Sequence, residues 1–316
     1  MKLQTQIPLK PVQQHHIDYK SALCFFGSCF SEHISERLIA HKLPTFSNPF
    51  GILFHPKAIE NLIKKSITDY SYSTNDVFDL NEQFQCFEVH SKLNTILKTE
   101  LIKRLNEVTT ETLQQLKKAS HICMTLGTAW VHKHIATDKT VANCHKVPQK
   151  EFNKTLLSIE EITASLQNCM DLILSVNPEA QFIFTVSPVR HIKDGFTENT
   201  LSKAHLISAV HAIVNTNSQA YYFPSYEIIM DQLRDYRFYN EDMLHPNATA
   251  INFIWEQFKT VWFSEEAQNI STEIAQITRG LNHKPFNPNS EAHKKFLLQL
   301  NSKKTALLNK FPHISF

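Results

Sequence analysis

Four short, largely apolar runs, Ala22 to Phe26, His121 to Leu126, Gln181 to Val186 and Ala220 to Phe223, recur through a chain whose remaining pattern is helical. Runs this short, with no regular polar alternation, are what strands buried on both faces need. Phe30, Ile34 and Leu38 repeat every fourth position after the first run, and Leu97, Leu101, Leu105, Leu113 and Leu116 outline a longer helical stretch before the second. Ile159 to Val176 and Leu201 to Val214 supply helices on either side of the third run, while Ile251, Ile254, Trp255, Phe258 and Trp262 trace one apolar stripe after the fourth. Strands alternating with helices predict an α/β fold, with a mostly parallel sheet covered by helices on both faces. In such open sheets ligands lie outside the carboxyl ends of the strands. Here those ends read Gly27-Ser28-Cys29, Gly127-Thr128, Ser187-Pro188-Val189-Arg190-His191 and Pro224-Ser225.

Two segments fit the alternation less well. Ser66 to Leu93, rich in Ser, Tyr, Asp and Asn, reads as a hairpin or lid (66–93) inserted after the first unit. From Ser264 the chain is helical and interrupted by proline, with Ser290 placed to cap a helix over Glu291 to Leu308. The expected organisation is therefore one domain over 1–263 and a C-terminal helical appendage over 264–316, within the reach of a 316-residue chain. The balance of 32 basic and 30 acidic residues, net +2, gives no reason to expect a nucleic-acid partner. Met1 to Lys20 is polar and lacks the apolar stretch of a secretory signal, and no window approaches the ~18 apolar residues of a membrane span. Six cysteines with no C-x-x-C pair fit reduced thiols, so a soluble cytoplasmic protein is the expectation.

Five glycines in 316 residues are few, and Gly27, Gly51 and Gly127 each stand where an apolar run gives way to polar residues. A chain this sparing of glycine keeps it where the backbone needs φ > 0 or a close approach. Cys24-Phe25-Phe26-Gly27-Ser28-Cys29-Phe30-Ser31-Glu32 reads as a buried strand, a tight turn carrying a hydroxyl and a thiol, and a helix start. Such a turn presents a nucleophile. Far along the chain, Asp242-Met243-Leu244-His245-Pro246-Asn247 places a carboxylate three residues before a histidine in a loop. The carboxylate can hold one ring nitrogen and leave the other free as a base. A solvated capping loop reads the same way on its own.

The string Gly27-Ser28-Cys29-Phe30-Ser31 resembles the signature of the GSCFA family, which is grouped with the SGNH/GDSL hydrolases. The likeness runs from about Lys20 to about Phe263 and is supported by Asn48-Pro49-Phe50-Gly51-Ile52, Leu126-Gly127-Thr128-Ala129-Trp130-Val131, Asn143-Cys144-His145-Lys146, Ser187 to His191 and Asp242 to Pro246. The wider superfamily implies a three-layer α/β/α sandwich, a nucleophile in G-D-S, oxyanion donors from a glycine and from the asparagine of a G-x-N, and a late D-x-x-H. Laid on G-D-S without gaps, Cys29 takes the nucleophile's place and Ser28 the aspartate's; a slip of one residue would make Ser28 the nucleophile. A thiol at a helix N-terminus is helped by the dipole and the unpaired N–H groups, which favours Cys29. Gly51 fits the glycine donor, but Ala129 stands where G-x-N has its asparagine, and losing one donor raises a barrier by about 3 kcal/mol in other oxyanion holes. Asn143 and Thr128 are the candidate replacements, and an ordinary turn role suits Asn143 equally.

Arg190, His191 and His145 are the candidate substrate-binding residues; Arg190 suits a carboxylate or phosphate, coenzyme A included, or an internal acid such as Asp194. His132, His134, Cys144, His145, His191 and His245 could ligate zinc by residue type, but their spacings match no zinc motif among 17 histidines, so neither a metal nor another cofactor is expected. The expected activity is an SGNH-like hydrolase or acyltransferase on a small acyl ester or acylated sugar. The alternative is a degenerate carbohydrate-binding module on the same fold.

Overall fold

Alternate residues of each central strand feed two separate apolar layers. In the computed structural model, which describes residues 5–316, strand β1 (Leu23–Gly27) leads through helix α1 (Cys29–Ala40) to β2 (Thr45–Ser47) and α2 (Pro56–Ile67). A hairpin, β3 (Phe78–Leu80) and β4 (Gln83–Gln85), precedes α3 (Lys98–Lys118) and β5 (His121–Leu126). Then come β6 (Trp130–His134), β7 (Lys139–Val141), β8 (Phe152–Leu156), α4 (Ile159–Leu174), β9 (Gln181–Val186), α5 (Phe196–Thr216) and β10 (Ala220–Tyr222). A short α6 (Ser225–Glu227) runs into a π-helical turn, Ile228–Gln232, and α7 (Ala248–Trp262), α8 (Glu265–Leu281) and α9 (Glu291–Lys310) finish the chain.

The central sheet has five parallel strands in the order β10-β9-β5-β1-β2. Cys24 and Phe26 of β1, Ile122 and Met124 of β5, and Phe182 and Phe184 of β9 point into one layer with α2, α3, α4 and α5. Leu23, Phe25, Cys123 and Ile183 point into the other, against α1, α7 and α8. The two layers are why the runs read as continuous apolar stretches: neither face of these strands meets water. The chain leaves β1 toward β2 on one side and returns to β5 on the other, so the carboxyl ends of β1 and β5 flank the point where the winding reverses. That crevice is the place such sheets offer a ligand.

The expected strands are present, the first shifted by one residue to include Gly27 and the last ending at Tyr222. Within 66–93 the structure forms the β3–β4 hairpin, turned by Asn81 and Glu82 at φ 55° and 59°. Tyr72, Val77, Cys86, Val89 and Leu93 of this segment are buried in the first apolar layer, so it is built into the wall of the molecule. A second, antiparallel sheet, β7-β6-β8, rises from the end of β5. In the C-terminal part, Ala267, Ile270, Ile274 and Ile277 of α8 share the second layer with α7, while α9 adds Leu300 and Leu307. Ser290 caps α9, its Oγ accepting the His293 N–H at 3.2 Å. Among the described residues no helix is long and apolar enough to cross a membrane.

Candidate active site

Gly27 ends β1 at φ +136°, and a Cβ there would lie 2.1 Å from the Thr125 carbonyl oxygen of the neighbouring strand. Its N–H donates to Asn48 Oδ1 at 2.9 Å, and the next N–H, of Ser28, donates to Thr125 O at 3.0 Å. This turn stops the strand and starts α1 within one residue, with Ser28 as N-cap: its Oγ accepts the Phe30 N–H at 3.3 Å. Cys29 is then the first helical residue and is half-buried, where Ser28 is 1 % exposed. Gly27→Ala is expected to destabilise the fold by about 3 kcal/mol or more, because the clash is with a sheet carbonyl that cannot swing aside. Urea denaturation checks this.

The Asp242 carboxylate holds His245 by two contacts and the Leu244 backbone by a third. Asp242 Oδ1 accepts the N–H groups of Leu244 and His245, both at 2.9 Å, and Oδ2 lies 2.6 Å from His245 Nδ1. These donors bring the carboxyl down to about 2, with the His245 N–H foremost. With Nδ1–H donating to Asp242, Nε2 is the nitrogen left to take a proton. Ser28, Cys29 and His245 line one cavity of about 590 Å³ at the carboxyl ends of β1, β5 and β9, together with Thr128, Asn143, Arg190 and His191. Ser28 and Cys29 thus share one space with His245, more than 200 residues away in the chain.

The Cys29 thiol is pushed above its ordinary value by burial and by Glu32, against which the N–H groups of Phe30 and Cys29 and the Lys203 ammonium act. The thiol therefore needs a base to become a nucleophile at neutral pH.

Three expected residues stand differently. Gly51 does not line the cavity: its N–H donates to Asn48 O at 2.8 Å, its φ is +75°, and the space beside it is filled by His90. Gly51 is a turn residue with no donor to spare. The Thr128 N–H is also taken, sharing Phe54 O with the Gly127 N–H at 2.9 and 2.7 Å, and its hydroxyl is engaged with Ser202 and the Trp130 N–H. His145, buried at φ +50°, faces Cys86 O through Nε2 at 2.7 Å and lies off the main cavity. Asn143 lines the cavity: its Oδ1 accepts the His145 N–H at 2.9 Å, while its amide nitrogen has no partner among the described residues. Arg190 does not pair with Asp194, which binds Lys154 at 2.5 Å. His191 is half-buried beside Phe54 and driven down to about 4 by its partial burial, with Lys203 and His245 adding to the fall, so it is neutral at ordinary pH. Among the described residues no three side chains of ligand type converge as they would around a metal.

The family model described as GSCFA family matches residues 22–258, and that of the GSCFA domain protein C-terminal domain matches residues 274–316. The chain belongs to the GSCFA family. No curated protein matches it. Among solved structures, a protein named as a GDSL-like lipase from Parabacteroides merdae is 10 % identical with a TM-score of 0.40, over 84 % of this chain and 100 % of that one. A carbohydrate esterase family 3 protein from Talaromyces cellulolyticus is 9 % identical with a TM-score of 0.36, over 80 % and 99 %. A mutant acetyl esterase with an acetate ion is 8 % identical with a TM-score of 0.36, over 81 % and 99 %.

In this GSCFA chain two further residues shape the site. Asn48, at φ +41°, holds the Gly27 N–H with its side chain and the Gly51 N–H with its carbonyl, which explains the Asn48-Pro49-Phe50-Gly51 stretch as the support of the Gly27 turn. Lys203 is 1 % exposed, with Nζ donating to Gly127 O at 2.6 Å and Ser187 O at 2.7 Å, so it ties together the ends of β5 and β9 beneath the cavity. Burial brings its ammonium down to about 7, opposed by Cys29. The signal for Lys203 was its register: it stands three residues before Leu206 and seven before Val210, on the buried stripe of α5.

Proposed function

We propose that the protein cleaves or transfers acyl groups through a covalent acyl-enzyme on Cys29. One observation supports this reading above the others: Cys29, aimed by the Gly27 turn, and His245, fixed by Asp242, line the same cavity. His245 Nε2 takes the thiol proton as Sγ attacks the ester carbonyl, and the negative charge moves to the carbonyl oxygen. Collapse of that adduct breaks the acyl carbon–oxygen bond, and the proton held on His245 passes to the departing alkoxide. Water, or an acceptor alcohol, then loses its proton to His245 and attacks the thioester, releasing acid or new ester and returning the thiol. The Asn143 amide nitrogen and the Cys29 N–H at the start of α1 are the donors best suited to the transient oxyanion. Arg190 and His191 also line the cavity and would meet the rest of the substrate, a small ester such as an O-acetylated sugar or an acyl-coenzyme A. Six free cysteines suit a reducing, cytoplasmic setting.

The occupied N–H groups of Gly51, Gly127 and Thr128 favour the second reading, a carbohydrate-binding module without turnover. Assay of the purified chain on p-nitrophenyl acetate and on acetylated sugars separates the two. Asp242→Asn is expected to lower kcat about 10³- to 10⁴-fold with little change in KM, because the ring loses the acceptor that sets its tautomer. Unchanged kcat in that variant would remove His245 from the mechanism.

A further inference from the structure

Arg190 stands between two cavities: the one holding Cys29 and His245, and a neighbouring cleft of about 230 Å³ to which Met230, Arg234, Asp235, Tyr236 and Tyr239 also contribute. A guanidinium carries five N–H donors. The side-chain bond that Arg190 makes is from Nη2 to Met230 Sδ at 3.4 Å, a weak acceptor, and Arg234 makes none among the described residues. Neither arginine takes part in an ion pair there. The acid on the same rim, Asp235, is already engaged: Oδ1 accepts the Arg237 N–H at 2.9 Å and Oδ2 lies 3.6 Å from Arg237 Nε. Two guanidinium groups with no carboxylate partner of their own thus line one cleft, and their fork geometry is suited to phosphate oxygens.

The walls support a ligand of that kind. Met230 enters from the π-helical turn Ile228–Gln232, a local irregularity that recurs at functional sites. Tyr236 and Tyr239, with ring centroids 6.0 Å apart, give an aromatic side on which a flat group could rest. Tyr239 pairs with Pro246, and the Asn240 N–H donates to His245 O at 2.8 Å, so the cleft wall and the His245 loop are one unit.

We infer that this cleft binds a phosphate group of the substrate between Arg190 and Arg234, so that the ester handled at Cys29 carries a phosphate on its non-reacting part. The substrate assignment rests on the acyl-transfer reading above; the phosphate site does not. The phosphate could come from coenzyme A or from a phosphorylated sugar. Titration of the wild-type chain, Cys29→Ala, Arg190→Gln and Arg234→Gln with inorganic phosphate, by calorimetry and tyrosine fluorescence, tests the site. Phosphate is expected to bind wild type and Cys29→Ala alike, and either arginine variant about tenfold more weakly or worse. Arg234 is exposed, so its replacement leaves the fold intact. Coenzyme A binding more tightly than both its dephospho form and a hexose phosphate would identify the coenzyme as source; the hexose phosphate binding most tightly would identify the sugar. Failure of phosphate to bind wild type, or binding to both arginine variants as tight as to wild type, would overturn the inference. Phosphate binding without ester turnover would leave the cleft and sink the acyl chemistry, and turnover without phosphate binding would do the reverse.

Discussion

Cys29→Ala is expected to lower ester turnover by about 10⁴-fold, the scale on which loss of a nucleophile acts, while Ser28→Ala keeps kcat within about tenfold of wild type. The two residues are neighbours with different positions. Ser28 Oγ is buried and serves as the cap of α1, accepting the Phe30 N–H, so its loss falls on stability, at about 1 kcal/mol. Cys29 is the half-exposed one of the two, at the helix start and on the cavity shared with His245. Since burial raises the thiol rather than lowering it, the protein does not store a thiolate, and on the proposed mechanism turnover should depend on His245 being unprotonated. Steady-state kinetics of the two variants on p-nitrophenyl acetate measures the contrast. Loss in Ser28→Ala with retention in Cys29→Ala would reverse the assignment.

Acidification from pH 6.5 toward 4 is expected to unfold the protein. His55 and His121 are buried and His191 is half-buried, and all three are neutral, each driven from about 6.5 to about 4, first by burial. The unfolded chain takes up protons at these groups below about 6.5, and the folded chain does so only near 4, so stability present above 6.5 is lost through that window. Each such fall corresponds to about 3 kcal/mol, and together the three approach the whole stability of an ordinary domain. His55 shows the structural reason. Its Nδ1 accepts the Ala58 N–H at 3.1 Å and caps α2, while Nε2 faces Val141 O at 3.0 Å, so a second proton would leave the helix uncapped. Lys203 acts with the same sign at higher pH: lowered from 10.5 to about 7 when folded, it makes stability rise between those values. Tryptophan fluorescence followed against pH should give a midpoint near pH 5, and a chain still folded at pH 4 would contradict the account.

The central strands were readable because both of their faces are buried: Leu23, Phe25 and Cys123 fill one layer while Cys24, Phe26 and Ile122 fill the other, which leaves an unbroken apolar run. The small antiparallel sheet was not, because β6 mixes Trp130, His132, Lys133 and His134 on a half-exposed surface, and strand propensity without burial leaves little pattern. The turn after β1 showed itself through Gly27, whose position admits no side chain. Gly51 misled for a related reason. Its positive φ is real, but it serves a turn that Asn48 closes, and a sequence shows that a glycine is needed without showing where its N–H points. Lys203 escaped because lysine on a helix is normally a solvated residue, and only its register with Leu206 and Val210 marks it as buried.

The acyl-enzyme itself is the most direct test. Wild-type protein quenched in acid during turnover of p-nitrophenyl acetate, digested and analysed by mass spectrometry, should carry one acetyl group on the peptide containing Cys29, released by hydroxylamine as a thioester is. An acetyl group on Ser28, or an unmodified peptide while ester is being consumed, would contradict the mechanism built on the Cys29 thiol.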